Sequence, residues 1–162
     1  MLFTLASACL PPLFVFGVYH LLTWFNVFGI NKRSFWKRVA IASAISHLFL
    51  ASGFFAFSYF DFRTHLLLEP EGTNFGPYLF DRSDFWRVIT IFDTVPMLAI
   101  IALSSVLDRA GINPPGFLAW VLAITYVAGT LQWFFLGGGI GALVERFFAG
   151  LKTPEPEDEE WF

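Results

Sequence analysis

The hydrophobic positions of this chain gather into four long apolar runs separated by shorter polar connections. They cover residues 2–30, 39–60, 88–107 and 117–136. Each run is apolar all round instead of alternating, which favours helices over strands. About 20 apolar residues are enough to cross the ~30 Å hydrocarbon core of a bilayer. The pattern predicts an all-α membrane protein, built as a four-helix transmembrane bundle.

The first run could also be a cleaved signal peptide. However, the run is not preceded by the basic residues that begin a signal peptide, and it is long for the apolar core of such a peptide. Pro11-Pro12 also interrupts it. We therefore expect a retained span over residues 10–30, with residues 1–9 as a hydrophobic lead-in. Residues 1–151 form a single four-span domain on this reading.

A second periodic pattern follows the fourth run, after three consecutive glycines. Its apolar positions recur at helical spacing and share one face, which predicts an amphipathic helix lying in the membrane interface. The alternative is a longer fourth span in which Gly137 and Gly141 contact another helix closely. The acidic residues of 152–162 form a separate tail. The residues of the apolar face are Ile140, Leu143, Val144, Phe147, Phe148 and Leu151.

Composition supports the membrane assignment. The chain is 56% hydrophobic and 14% charged, whereas soluble domains carry about 25% charged residues. The net charge of -3 argues against a nucleic-acid surface, which needs a basic face. A single cysteine, Cys9, excludes a disulfide framework, a CxxC redox pair and a thiolate zinc cage within this sequence.

The first connection, INKRSFWKRV, sets the expected orientation. Its four basic residues are Lys32, Arg33, Lys37 and Arg38, and it holds no acid. Short basic loops stay in the cytoplasm, so residues 31–38 are expected there. With four spans, both termini would then lie outside. The longer connection, residues 61–87, is expected to cover the outer mouth of the bundle, with a short interfacial helix at 62–68.

Each apolar run contains one costly polar side chain: His20, His47, Asp93 and Gln132. Small or polar residues accompany His20, His47 and Gln132 at helical spacing, so these three are expected to face the interior. His20 and His47 should lie at similar depth near the centre. Asp93 and Gln132 should be neighbours in the outer leaflet.

Asp93 has three interpretations. It can cap a helix that begins at Thr94. Pro96 would then lie in the first turn, where the backbone N–H that proline lacks is not needed for a helical hydrogen bond. It can make a buried hydrogen bond to Gln132 or to an arginine of the long connection. It can also be a functional proton or ion site.

The two histidines, His20 and His47, likewise have three interpretations. They can be structural rings bonded to a neighbouring helix, or a proton relay to Asp93. They can also be a pair of axial haem ligands, which needs two imidazoles on facing helices. Haem is therefore the one cofactor that the sequence suggests, without a supporting motif.

Motifs of catalysis are missing: the sequence has no GxSxG, HExxH, P-loop or carboxylate-rich metal motif. We therefore expect a non-catalytic accessory or structural subunit that packs against a larger membrane complex. One alternative is a small oligomeric proton-coupled transporter or channel using the intramembrane His and Asp. Another is a haem-binding or lipid-handling membrane enzyme. The expected partners are the bilayer and a membrane protein or further copies of the chain.

Overall fold

A computed structural model describes the backbone of residues 2–68, 93–112 and 116–151, and the side chains of 11–67, 93–112 and 116–150. Within these residues the secondary structure is helical, with short connections and no strand. The all-α prediction is therefore confirmed for this part of the chain. The α-helices of the described residues are α1, Leu2–Trp24; α2, Phe35–Leu68; α3, Thr94–Arg109; and α4, Phe117–Leu151.

Two of these helices contain segments long and apolar enough to cross a membrane: Phe35–Leu67 in α2 and Phe117–Gly150 in α4. Their 33 and 34 residues extend about 50 Å at a rise of ~1.5 Å per residue. That length exceeds the ~30 Å hydrocarbon core. The second predicted span does not stop at Asp61, because α2 continues to Leu68. Residues 62–68 are therefore part of α2 and not the separate interfacial helix that was expected.

Helix α4 begins at the predicted Phe117 but does not end near residue 136. It continues without a turn through the three glycines to Leu151, so the prediction of a separate interfacial helix is wrong. The longer fourth helix, which was the alternative, is what the structure contains. Of the predicted apolar face, Leu143, Phe147 and Phe148 are exposed side chains on the last turns of α4, and Val144 is half-buried.

Helices α2 and α4 form the centre of the structure and run antiparallel. Gly129 of α4 lies against His47 of α2, and Gly141 lies against Trp36. Residue numbers thus rise along α4 as they fall along α2. The predicted four-span order requires α2 and α4 to be parallel. In that order the third span crosses back between them, so the second and fourth spans cross the membrane in the same direction. The order of spans in the prediction therefore differs from the observed packing.

Glycines set the distance between α2 and α4. A Cβ atom added to Gly141 would lie 2.8 Å from the Cα atom of Trp36, which is far inside van der Waals contact. A Cβ at Gly137 would collide with the side chain of Ser43. The GxxxG spacing therefore lets the two backbones approach closely, as small residues do between membrane helices.

Helix α1 packs antiparallel to the first half of α2. A short 3-10 helix, Val27–Lys32, makes the connection, and its Ile30 packs with Leu22 and Ala42 in a small buried core. The first predicted span is thus a helix that ends at Trp24 instead of residue 30. It also runs through Pro11-Pro12 without breaking.

Helix α3 packs on α4 and begins in the interior. Its N-terminal flanking residue, Asp93, is bonded to His47, which lies about 18 Å along α2 from Phe35. Helix α4 begins at Phe117, eight positions after Arg109, so the end of α3 lies near the start of α4. Helix α3 therefore runs antiparallel beside the first half of α4 only, and its 16 residues reach about 24 Å.

The third predicted span, residues 88–107, is not one continuous helix, because Asp93 has non-helical backbone angles (φ -115°, ψ 55°). Residues 88–92 lie outside the described part of the chain. The same holds for most of the predicted lid, residues 69–87, and for the acidic tail, residues 152–162.

Candidate polar site between three helices

Polar side chains from α2, α3 and α4 converge where α3 begins. His47 comes from α2, Asp93 precedes α3, and Thr130 and Trp133 come from α4. His47 is 3% exposed and Asp93 is 2% exposed. We call these four residues the polar cluster. Within it an imidazole and a carboxylate are in direct contact.

The cluster is joined by three hydrogen bonds. His47 Nε2 lies 2.8 Å from Asp93 Oδ2. The indole Nε1–H of Trp133 donates to Asp93 Oδ1 over 3.0 Å. His47 Nδ1 lies 3.0 Å from Thr130 Oγ1. Both carboxylate oxygens and both imidazole nitrogens are therefore used within the protein.

These contacts are compatible with two protonation states. Indole nitrogen only donates, so Asp93 Oδ1 is an acceptor in both. With neutral His47 protonated at Nε2, that N–H donates to Asp93 and the Thr130 hydroxyl donates to Nδ1. With cationic His47, both ring nitrogens donate and the Thr130 oxygen accepts. The cluster can thus gain or lose one proton by rotating one hydroxyl hydrogen, without losing a hydrogen bond.

Gln132, not Asp93, satisfies the start of α3. The side chain of Asp93 makes no capping hydrogen bond, so the cap interpretation is wrong although the helix begins at Thr94 as that interpretation required. The Val95 N–H instead donates to Gln132 Oε1 over 2.9 Å. Because an amide from α4 accepts a bond from the first turn of α3, the Asp93 carboxylate is available to His47 and Trp133. Asp93 and Gln132 are neighbours as predicted, but they act on different groups.

Gly129 makes room for the histidine ring. A Cβ atom at this position would lie 2.5 Å from His47 Nε2 and 3.1 Å from Asp93 Oδ2. The ring therefore lies directly against the backbone of α4. Any larger residue would occupy the space in which the His47–Asp93 hydrogen bond is made.

His20 does not join this cluster. Its side chain is exposed on α1, and its ring makes edge contacts with Phe16 and Tyr19, at 4.3 Å and 5.7 Å between centroids. The inward orientation expected for His20 is therefore wrong. The haem interpretation loses its basis as well, since both ring nitrogens of His47 are already hydrogen-bonded within the protein.

Three members of the site were missed by sequence reasoning: Gly129, Thr130 and Trp133. Tryptophan ordinarily indicates the membrane interface, so the residue type of Trp133 points away from a contact between helices. One signal could have found it. Residues 129, 133, 137 and 141 recur every four positions, and three of the four are glycine, which marks the face of α4 that meets another helix.

The chemical capacity of the cluster is limited. A hydroxyl, an imidazole and a carboxylate follow one another as in hydrolases, but acyl transfer also needs N–H donors for the developing oxyanion. Thr130 lies in the middle of α4, where backbone N–H groups are committed to helix hydrogen bonds. Among the described residues no group of three or more His, Cys, Asp or Glu could hold a metal ion. The geometry therefore supports a structural or proton-binding role.

Comparison with known proteins gives no further assignment: no family model, curated protein or solved structure matches this chain.

Proposed function

We propose that this chain is an integral membrane protein without catalytic activity of its own, which packs as an accessory subunit on a larger membrane complex. The polar cluster then serves to hold the half-length helix α3 on the α2–α4 pair. In support, every buried side-chain nitrogen or oxygen among the described residues has a hydrogen-bond partner. A site that is satisfied internally has no group waiting for a substrate.

The observation that carries the proposal is a notch on the outer face of α2. Gly53 and Ala56 are exposed there, with exposed Phe49 and Phe60 on the same helical face. A Cβ atom at Gly53 would have no atom within 4 Å. In the α2–α4 contact of this protein, glycines admit another helix backbone. On the exposed face of α2, small residues flanked by large aromatic rings therefore fit a helix of a partner protein better than they fit lipid chains.

The orientation that we propose places residues 31–38 in the cytoplasm and the N-terminus outside. Antiparallel packing brings the end of α4 to the same side as residues 31–38, which moves the C-terminus inside. Five described basic residues then lie on the inner side, and two, Arg63 and Arg109, on the outer side. Under four spans the same seven residues also divide five to two, because Arg109 and Arg146 exchange sides, so the count supports residues 31–38 as the cytoplasmic end in either order of spans. The five on the inner side of the antiparallel arrangement are Lys32, Arg33, Lys37, Arg38 and Arg146.

Cysteine labelling in intact cells tests this orientation. The variants carry Cys9→Ser as background and a single new cysteine at Ser34, Gly150 or Arg109. An impermeant thiol reagent should react only with the cysteine at Arg109, because the other two positions lie on the cytoplasmic side. All three should react after the cells are opened, which controls for accessibility. Labelling of Gly150→Cys in intact cells would restore the four-span order and contradict the antiparallel arrangement.

The accessory role is tested by the mass of the complex extracted from native membranes in a mild detergent. We expect the tagged chain to migrate well above its own mass of 18.3 kDa and to contain other polypeptides. Gly53→Leu should release it as a single chain, since leucine fills the notch. Gly139→Leu is the matched control: Gly139 is also an exposed helical glycine with no atom within 4 Å of an added Cβ.

Two results would contradict the accessory role. If the native species is a single chain, there is no partner. If it is a multiple of this chain alone, self-association replaces the accessory role. Gly53→Leu must also retain wild-type thermal stability, because its added side chain points into open space; otherwise the released chain would only report misfolding.

A second candidate function is proton-coupled transport, and one observation favours it. An ionisable His47–Asp93 pair lies in the interior at a point where an apolar segment leaves helical geometry. Broken helices and buried ionisable residues mark ion and substrate paths in membrane transporters. The two protonation states of the cluster would supply the proton step. The Asp93 variants described in the Discussion separate this candidate from the accessory role.

A further inference from the structure

A groove lies between the beginning of α2 and the end of α4. It has a volume of about 440 Å³ and is open on one side, within the range of about 300–1,000 Å³ that small-molecule sites occupy. Its lining is mostly apolar, with one acidic residue. The lining residues are Phe35, Val144, Glu145, Phe148 and Ala149.

The basic connection lies at the same end of the molecule, because Phe35 follows it directly. Lys32, Arg33 and Lys37 are exposed. Arg38 is held in place: its Nη2 donates to the carbonyl of Asn31 over 2.9 Å, and its Nε donates to the carbonyl of Arg33 over 2.8 Å. A guanidinium has five N–H donors, so Arg38 can still donate to a further acceptor. The positive charge is therefore fixed near the groove before any ligand arrives.

We propose that this groove binds one anionic phospholipid. An acyl chain lies along Phe35, Val144 and Phe148, and the phosphate lies against Lys32, Arg33 and the remaining N–H groups of Arg38. Arginine and lysine are the usual partners of phosphate. The inference rests on membrane insertion, but it does not require a partner protein.

Charge decides in favour of an anionic lipid over a zwitterionic one. At this end of the molecule the described residues carry five basic side chains against one acid, Glu145. Basic residues on the cytoplasmic side of membrane helices attract anionic headgroups, each by about 1 kcal/mol near the surface. An ammonium-bearing headgroup gains less, because its own positive charge faces the same residues. The groove itself accepts an acyl chain of either lipid.

Native mass spectrometry of the full chain in detergent tests the proposal. The protein is titrated with phosphatidylglycerol or phosphatidylcholine, and the fraction carrying one lipid is measured. We expect phosphatidylglycerol to bind roughly tenfold tighter or more. The triple variant Lys32→Gln, Arg33→Gln, Arg38→Gln should reduce its affinity to that of phosphatidylcholine. The double variant Arg63→Gln, Arg109→Gln removes charge from the other end and should leave binding unchanged.

A second pair of variants tests the groove without changing charge. Val144→Trp places an indole in the groove and should abolish the one-lipid adduct with both lipids. Leu143→Trp adds the same side chain to the neighbouring exposed position outside the lining residues, and should bind like the wild type. Gly53→Leu should also bind normally. A failure of the accessory role would therefore not be mistaken for a failure of this site.

Several outcomes would overturn the proposal. Equal binding of the two lipids would remove the charge recognition, and so would an unaffected triple variant. Full binding by Val144→Trp would show that the groove is not the site. If the full chain binds neither lipid and a chain that ends at Lys152 binds phosphatidylglycerol, the acidic tail is the occupant of the basic connection instead.

Discussion

Replacing Asp93 with leucine will lower the free energy of unfolding by about 3–5 kcal/mol, because it removes one partner of the buried His47–Asp93 pair and leaves polar groups unpaired in the interior. The substitution leaves two polar groups without partners, the Trp133 Nε1–H and His47 Nε2. This is more than the loss of a helix cap, which costs about 0.5–2 kcal/mol. Detergent-induced unfolding followed by circular dichroism measures the difference. Asp108→Leu, at an exposed site on the same helix, should change stability by no more than about 0.5 kcal/mol.

Asp93→Asn should be far milder. Its amide oxygen can accept from Trp133, and its N–H can donate to His47 Nε2 if the ring proton moves to Nδ1, which then donates to Thr130. All three contacts survive, so we expect a loss of about 1 kcal/mol, the worth of one typical hydrogen bond. If asparagine destabilises the protein as much as leucine does, the negative charge itself holds the cluster together.

The asparagine variant also separates the two candidate functions. It retains shape and hydrogen bonding but cannot exchange a proton. In proteoliposomes with an imposed pH gradient, an accessory subunit shows no flux in either form. A wild-type protein that carries proton flux, together with a folded Asn variant that carries none, would replace the accessory role with proton-coupled transport.

Gly129→Ala should be strongly destabilising, because it acts on the polar cluster itself. Its Cβ atom would lie 2.5 Å from His47 Nε2, and the ring is held by hydrogen bonds at both nitrogens. Overpacking costs about 1–3 kcal/mol, and displacing the ring leaves Asp93 short of a partner at about 1–3 kcal/mol more. We therefore expect a loss of about 3 kcal/mol in unfolding free energy.

Gly139→Ala is the matched control, with the opposite sign. An added Cβ there has no atom within 4 Å, and alanine is favoured over glycine in a helix by about 0.5–1 kcal/mol. A double-mutant cycle identifies the cause at Gly129. In a His47→Ala background the clash is gone, so Gly129→Ala should cost little and the two changes should be strongly non-additive. Additive losses would show that the ring does not limit the space at Gly129.

Much of the helical content follows from the sequence because hydropathy is a local property. The start of α4 at Phe117 was predicted from the beginning of an apolar run, and the start of α3 at Thr94 belonged to one of the three interpretations of Asp93. The inward orientation of His47 followed from the small residues at its helical spacing. Each of these inferences needs only the chain near the residue in question.

The sequence by itself determined that the chain is helical, that α2 and α4 are long and apolar enough to cross a membrane, and that His47 lies in the interior. Only the tertiary structure decided the direction of α4, because the hydropathy of a helix is the same whether it runs in or out. The fit of Gly129 and Gly141 against α2 fixes that direction. The tertiary structure also decided which donors and acceptors meet. The amide of Gln132 accepts from the first turn of α3, so the carboxylate of Asp93 is left for His47, a partner 46 residues away in the chain.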